Sequence, residues 1–156
     1  MASDSSKRLQ KIVAGVLDGR GFIKKGQTWR KAYDNAIGVV NIQGSQWGRS
    51  FYVNFGVYFS ALGGNPAPLE YHCHIRTRLE ELTPARARLV ELLDLESSVP
   101  DAVRSSEIES AIANAVPWLD RVATISGARE YCSAIKPTSP WVTPDARKYL
   151  EIAARV

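Results

Sequence analysis

Glu70-Tyr71-His72-Cys73-His74 is the segment whose residue types come nearest to chemistry. Side chains in an extended strand repeat every second residue, so on a strand Glu70, His72 and His74 share one face. Two imidazoles and a carboxylate so placed could begin a metal site, because neutral imidazole is a common transition-metal ligand. A small metal-assisted hydrolase is the enzymatic reading that follows. Against it, these are the only two histidines in the chain, and same-face neighbours on a strand arise by chance. The reading that prevails is two partly exposed histidines on the polar side of a sheet, with neither metal nor cofactor expected.

Nucleophilic catalysis finds less support. Cys73 falls on the apolar side of its strand, where burial raises a thiol's pKa and quiets it. Cys132 falls within an amphipathic helical stretch and reads as packed. The chain carries no G-x-S-x-G, no glycine-rich phosphate loop and no H-E-x-x-H. Leu89-Val90-Glu91-Leu92-Leu93 fits a leucine-rich box for partner grooves, yet in a chain this rich in leucine it reads as core.

A broader constellation appears when neighbouring strands are combined. One strand offers Tyr52, Asn54 and Tyr58 on its polar side; another offers Asn41 and Gln43; a third adds His72, His74 and Arg76. Solvated sheet faces usually carry Lys, Glu and Thr, whereas amides and phenols are stiff, two-sided hydrogen-bonding groups suited to recognition. The candidate ligand-binding residues are therefore Asn41, Gln43, Tyr52, Asn54, His72 and Arg76. The alternative is that these groups bond one another in a cross-strand ladder, or lie beneath a C-terminal segment. Tyr52, Tyr58, Trp29 and Trp47, with Arg30, Arg49, Lys24 and Lys25 nearby, also invite comparison with base-stacking platforms. No RNP-type signature accompanies them, and Trp29 falls on the opposite face from Arg30.

The elements that must position these residues follow from periodicity. Leu9, Ile12, Val13, Val16 and Leu17 repeat at three and four, predicting an amphipathic helix over 5–18. The period then changes to two. Residues 28–33 and 36–43 read as strands joined through Asp34-Asn35. Phe51, Val53, Phe55, Val57 and Phe59 alternate with Tyr52, Asn54, Gly56 and Tyr58 over a strand 51–59. Residues 70–76 alternate again, with Tyr71, Cys73 and Ile75 on the apolar side. The remainder, 84–155, is mainly helical: a segment opened by Thr83-Pro84 that suits helix or strand up to 95, then helices marked by Ile108 to Leu119, by 126–135, and by Thr143-Pro144, the last burying Ala146, Tyr149, Leu150 and Ala153. The fold class expected is α+β, a four-stranded antiparallel meander with helices packed on one face.

With 156 residues, 45% hydrophobic and 23% charged, the chain is read as a single globular domain over 1–156. No apolar run nears the roughly 20 residues that cross a bilayer, so no membrane partner is expected. The absence of a secretory pattern and the two cysteines suggest a cytoplasmic location. The net charge of +4 is unevenly spread. Residues 1–31 hold Lys7, Arg8, Lys11, Arg20, Lys24, Lys25, Arg30 and Lys31, while residues 89–120 are acidic. Such asymmetry can steer a nucleic acid toward the basic N-terminal third, or draw one end of the fold to the other.

The runs Gly21-Phe22-Ile23-Lys24-Lys25-Gly26-Gln27-Thr28-Trp29, Val40 to Gly48 and Phe51 to Tyr58, followed by His72 to Leu79, resemble the bacterial domain-of-unknown-function family DUF4304 over about residues 9–82. The resemblance implies a fold and no activity, and it draws attention to Asn41, Gln43, Ser45 and Asn54. With no catalytic signature present, the function expected is a non-catalytic recognition module, immunity-like in one version. It would bind a protein or a small polar ligand through the polar sheet face.

Overall fold

The computed structural model describes residues 3–46 and 48–154, with side chains through Glu151. Trp47 and the side chain of Ala153 lie outside the described residues. Helix α1, Asp4–Leu17, opens where the Ser3 hydroxyl accepts a hydrogen bond from the Ser6 amide at 3.1 Å, which satisfies one of the unpaired donors of the first turn. Strands β1 (Ile23–Lys25), β2 (Thr28–Ala32), β3 (Ala36–Gly44), β4 (Phe51–Phe59) and β5 (Ile75–Arg78) follow. They pair antiparallel in sequence order, so the sheet is a meander of five strands. Helices α2 (Arg86–Leu93), α3 (Asp101–Val122), α4 (Ile125–Ser133) and α5 (Pro144–Ala154) complete the α+β arrangement.

Two sequence expectations need correction here. The sheet has a fifth strand, β1, which pairs with β2 through a two-residue turn. It is three residues long and exposed throughout, so burial imposes no alternation on it. Gly26 in that turn has φ +65°, a conformation that side chains with a Cβ rarely adopt. The segment 70–76 is not a strand. Glu70–His72 is a 3-10 turn, closed by His72 N–H donating to Leu69 O at 3.0 Å and Cys73 N–H to Glu70 O at 3.1 Å. The strand begins at Ile75, with Ile75 and Thr77 buried and Arg76 and Arg78 half-buried. Tyr71, expected on the apolar side, is 65% exposed. Local turn bonds after Pro66 and Pro68 captured residues whose polarity merely happened to alternate.

Between 84 and 95 the helical alternative applies only to Arg86–Leu93, and α2 starts at Arg86 without a side-chain cap. The Thr143-Pro144 start does behave as a cap: the Thr143 hydroxyl accepts from the Ala146 amide at 3.1 Å. Helix α3 starts at Asp101, earlier than its apolar pattern suggested, and runs through Pro117.

One face of the sheet, carrying Trp29, Val40, Ile42, Val53, Phe55 and Val57, is fully or almost fully buried. It packs with Leu9, Val13 and Leu17 of α1 and Ile108, Ile112 and Leu119 of α3 in one apolar core. Phe55 meets Trp118 edge-on at 6.5 Å. Truncating such a ring to alanine costs about 3–5 kcal/mol, transfer and cavity together. Arg104, 1% exposed, joins α2 to α3. Its guanidinium donates to the carbonyls of Leu92, Asp94, Ser97 and Val99 at 2.6–3.1 Å, and to Ser97 Oγ. The uneven charge is likewise used internally: Arg8 pairs with Asp101, and Lys31 with Asp120.

A candidate ligand-binding groove on the polar sheet face

Period two and the strand register bring four polar side chains into one row across four strands. Thr28 of β2 faces Asn41 of β3, Asn41 faces Asn54 of β4, and Asn54 faces Arg78 of β5. The row is hydrogen-bonded along its length. Asn41 Nδ2 donates to Thr28 Oγ1 at 3.1 Å and to Gln27 O at 3.3 Å. Asn54 Nδ2 donates to Asn41 Oδ1 at 3.3 Å and to Gln43 Oε1 at 3.0 Å, while Asn54 Oδ1 accepts from Arg78 Nε at 3.3 Å. Asn54 is only 2% exposed. The amides thus form the cross-strand ladder that was the alternative reading, and the ladder ends on a guanidinium.

The neighbouring row, Arg30, Val39, Gly56 and Arg76, lies partly beneath the chain between β4 and β5. Cys73 sits on Gly56: a Cβ there would lie 2.7 Å from its Sγ and 2.8 Å from its Cβ. Only a residue without a side chain permits this approach. Cys73 packs with Val39, Tyr58 and Ile37 in a small second core. Burial, helped by the nearby Glu70 carboxylate, pushes its thiol up to about 12. Arg30 Nε donates to Pro68 O at 2.8 Å and fastens this loop to β2. Along the β5 edge, Arg76 N–H donates to Trp141 O and Thr143 N–H to His74 O, so a C-terminal segment shields the edge and brings Trp141 to the sheet.

What stays open is a groove of about 550 Å³ lined by Gln27, Asn41, Gln43, Glu70, Arg76 and Arg78, with Leu69 and Tyr71 at its margin. Arg76 Nε donates to Glu70 Oε1 at 2.6 Å, an ion pair with the carboxylate nearly buried. Arg78 differs. Its guanidinium lies 3.8 Å from the Tyr52 ring centre and 5.7 Å from that of Trp141. Among the described residues it has no carboxylate partner within salt-bridge distance, and its one hydrogen bond, through Nε, goes to Asn54. Stacking and one anchoring bond hold the planar fork in place, and such a fork matches the two oxygens of a carboxylate or phosphate.

Of the six residues read from the sequence, Asn41, Gln43 and Arg76 line this groove, Tyr52 stacks beneath Arg78, and Asn54 supports the row from below. His72 is exposed and is not among the lining residues; its Nδ1 accepts from the Leu69 amide at 3.0 Å. The sequence reading passed over Arg78, Tyr71 and Trp141 as site residues. Arg78 was within reach, being two residues beyond Arg76 on the same face. Trp141 was not, since 65 residues of sequence separate it from Arg76.

The shared face for Glu70, His72 and His74 disappears with the strand. Glu70 is engaged by Arg76. His74 is buried between Tyr58 and Phe59, its Nδ1 accepting from the Phe59 amide at 2.9 Å. Burial lowers its pKa, against a smaller opposing pull from Asp145. Among the described residues no three His, Cys, Asp or Glu side chains converge so as to hold a metal. Among them too, no helix is long and apolar enough to cross a membrane.

The comparisons with known proteins give one result. A family model described as "Domain of unknown function (DUF4304)" matches residues 13–121, from within α1 to the last turn of α3. No curated protein and no solved structure matches the chain.

Proposed function

The chain belongs to the DUF4304 family, and we propose that it is a recognition module that binds a partner or polar ligand in the groove on its polar sheet face. The observation that carries this reading is Arg78, a guanidinium stacked on Tyr52, near Trp141, and anchored by Asn54, with no carboxylate of its own among the described residues. A cation positioned at such structural expense, while its charge stays uncompensated, is arranged to meet something from outside. Asn41, Gln43 and Arg76 present further donors and acceptors beside it. Tyr52 and Asn54 act through Arg78 as positioning residues. An immunity-like role, in which the groove caps and neutralises a partner protein, is one concrete form of this function.

Binding suits the groove better than turnover. The two nearby groups with displaced pKa values, Cys73 and His74, are both buried and driven toward their neutral forms. Neither lines the groove. The test is capture from an extract of the source organism with the native chain, Tyr52→Ala and Asn54→Ala as parallel baits. A partner held by the native chain and lost by both variants, with all three baits folded by circular dichroism, supports the reading. A partner retained equally by all three removes the groove as the binding surface.

A further inference from the structure

Resting on the reading above, we infer that the groove's ligand is an acidic segment of a partner protein, with a side-chain carboxylate seated on Arg78. Charge supplies the first argument. Arg30, Arg76 and Arg78 occupy this face and Glu70 answers one of them, at 2.6 Å to Arg76. Arg30 is held by a neutral carbonyl, and Arg78 by a neutral amide. The face is therefore electropositive, and its least compensated charge is presented as a fork that fits a carboxylate through two parallel hydrogen bonds.

The margin supplies the second argument. Leu69 is 39% exposed, Tyr71 65% and Trp141 38%, and they are half of the large apolar side chains that stand exposed on the described surface. Leu69 and Tyr71 border the groove, and Trp141 stacks over its arginines. A small free anion would leave this apolar margin in water. A peptide that sets a carboxylate on Arg78 and lays apolar neighbours on Leu69, Tyr71 and Trp141 uses both features. Aromatic side chains and arginine around a desolvated centre are what protein interfaces concentrate.

Single-stranded nucleic acid fits less well. A run of bases needs a row of open ring faces, and here Arg78 covers the Tyr52 ring at 3.8 Å and the residue beside Tyr71 at the margin is the aliphatic Leu69.

The experiment is selection from a random decapeptide display library on the intact chain. Affinities of the leading peptide are then measured for the native protein, Arg78→Ala, Arg78→Lys and Tyr52→Ala. The expected pool is enriched in Asp or Glu flanked by apolar residues. Arg78→Ala should weaken the leading peptide by about tenfold or more, the worth of one charge-assisted bidentate contact. Arg78→Lys, which keeps the charge and the fold but loses the fork, should recover only part of that loss. Millimolar inorganic phosphate and a uridine decanucleotide should not displace the peptide.

A pool without acidic bias whose binding still falls in Tyr52→Ala overturns the ligand class and leaves the groove as the recognition surface. Absence of any enriched pool overturns a peptide as the ligand. Displacement by phosphate points instead to a free oxyanion, and displacement by the oligonucleotide to a nucleic acid. Binding indifferent to all three variants overturns both the class and the surface.

Discussion

Asn54 shows how one buried amide can serve an exposed cation. Its Nδ2 feeds Asn41 and Gln43 and its Oδ1 receives Arg78, so three surface groups are oriented by a side chain that barely reaches solvent. Asn54→Ala should cost about 1–3 kcal/mol in urea-unfolding stability, because it strands an arginine donor and two amide oxygens. A change under a few tenths of a kcal/mol would mean the row is ornamental. Gly56 makes an equally local demand. Gly56→Ala forces Cys73 off the sheet, so disulfide-exchange labelling of Cys73 should accelerate by about tenfold, as a buried thiol with raised pKa becomes accessible. Labelling at the native rate would show that the loop absorbs the methyl. The identity of the amides was legible from their alternation in the sequence. Their mutual hydrogen bonding was not, because period two says which face a side chain takes and not what stands opposite it.

At the scale of elements, β4 is buried on both faces: helices cover one, and the loop bearing Cys73 covers half of the other. Its alternation of apolar and polar types therefore marks the core side correctly, while Gly56 and Tyr58 on the other side are buried too. The misplaced strand at 70–76 has the same origin, since Glu70 to His74 alternate in polarity inside a loop that lies against the sheet. His74 gives this loop a pH dependence. Its folded pKa lies below the ordinary imidazole value of 6.5, so the unfolded chain takes up the proton first. The stabilisation is complete above about pH 6.5 and is lost as the pH falls below it toward the folded value. The urea midpoint should drop between pH 7.5 and pH 5 more in the native chain than in His74→Phe; equal drops would dismiss His74 as the cause. The α2–α3 connection rests on Arg104 in a comparable way. Arg104→Met leaves four carbonyls without their donor and should cost about 3 kcal/mol, whereas a loss below 1 kcal/mol would mean water replaces the guanidinium.

Across the whole molecule, part of the charge asymmetry visible in the sequence is paired within the fold, at Arg8–Asp101 and Lys31–Asp120. The arginines of β2 and β5 remain as the electropositive face. Helical periodicity in α1 and period two in β2 to β4 made the α+β layering readable in advance, because a half-buried element must place its apolar residues on one side. The short edge strand β1 and the docking of residues 141–143 along the β5 edge left no such trace: one is exposed throughout and the other is joined to the sheet only by the fold. That docking brings Trp141 beside Arg76 and Arg78, two of the arginines of the groove. The central claim is that this groove is where a partner is met. It is tested most directly by backbone and arginine side-chain NMR spectra of the chain, titrated with its captured partner. The expected result is saturable shifts at Gln43, Arg76, Arg78 and the Trp141 indole, with the helical face silent. Shifts confined to the helices, or to the basic residues between Lys7 and Lys25, would contradict it.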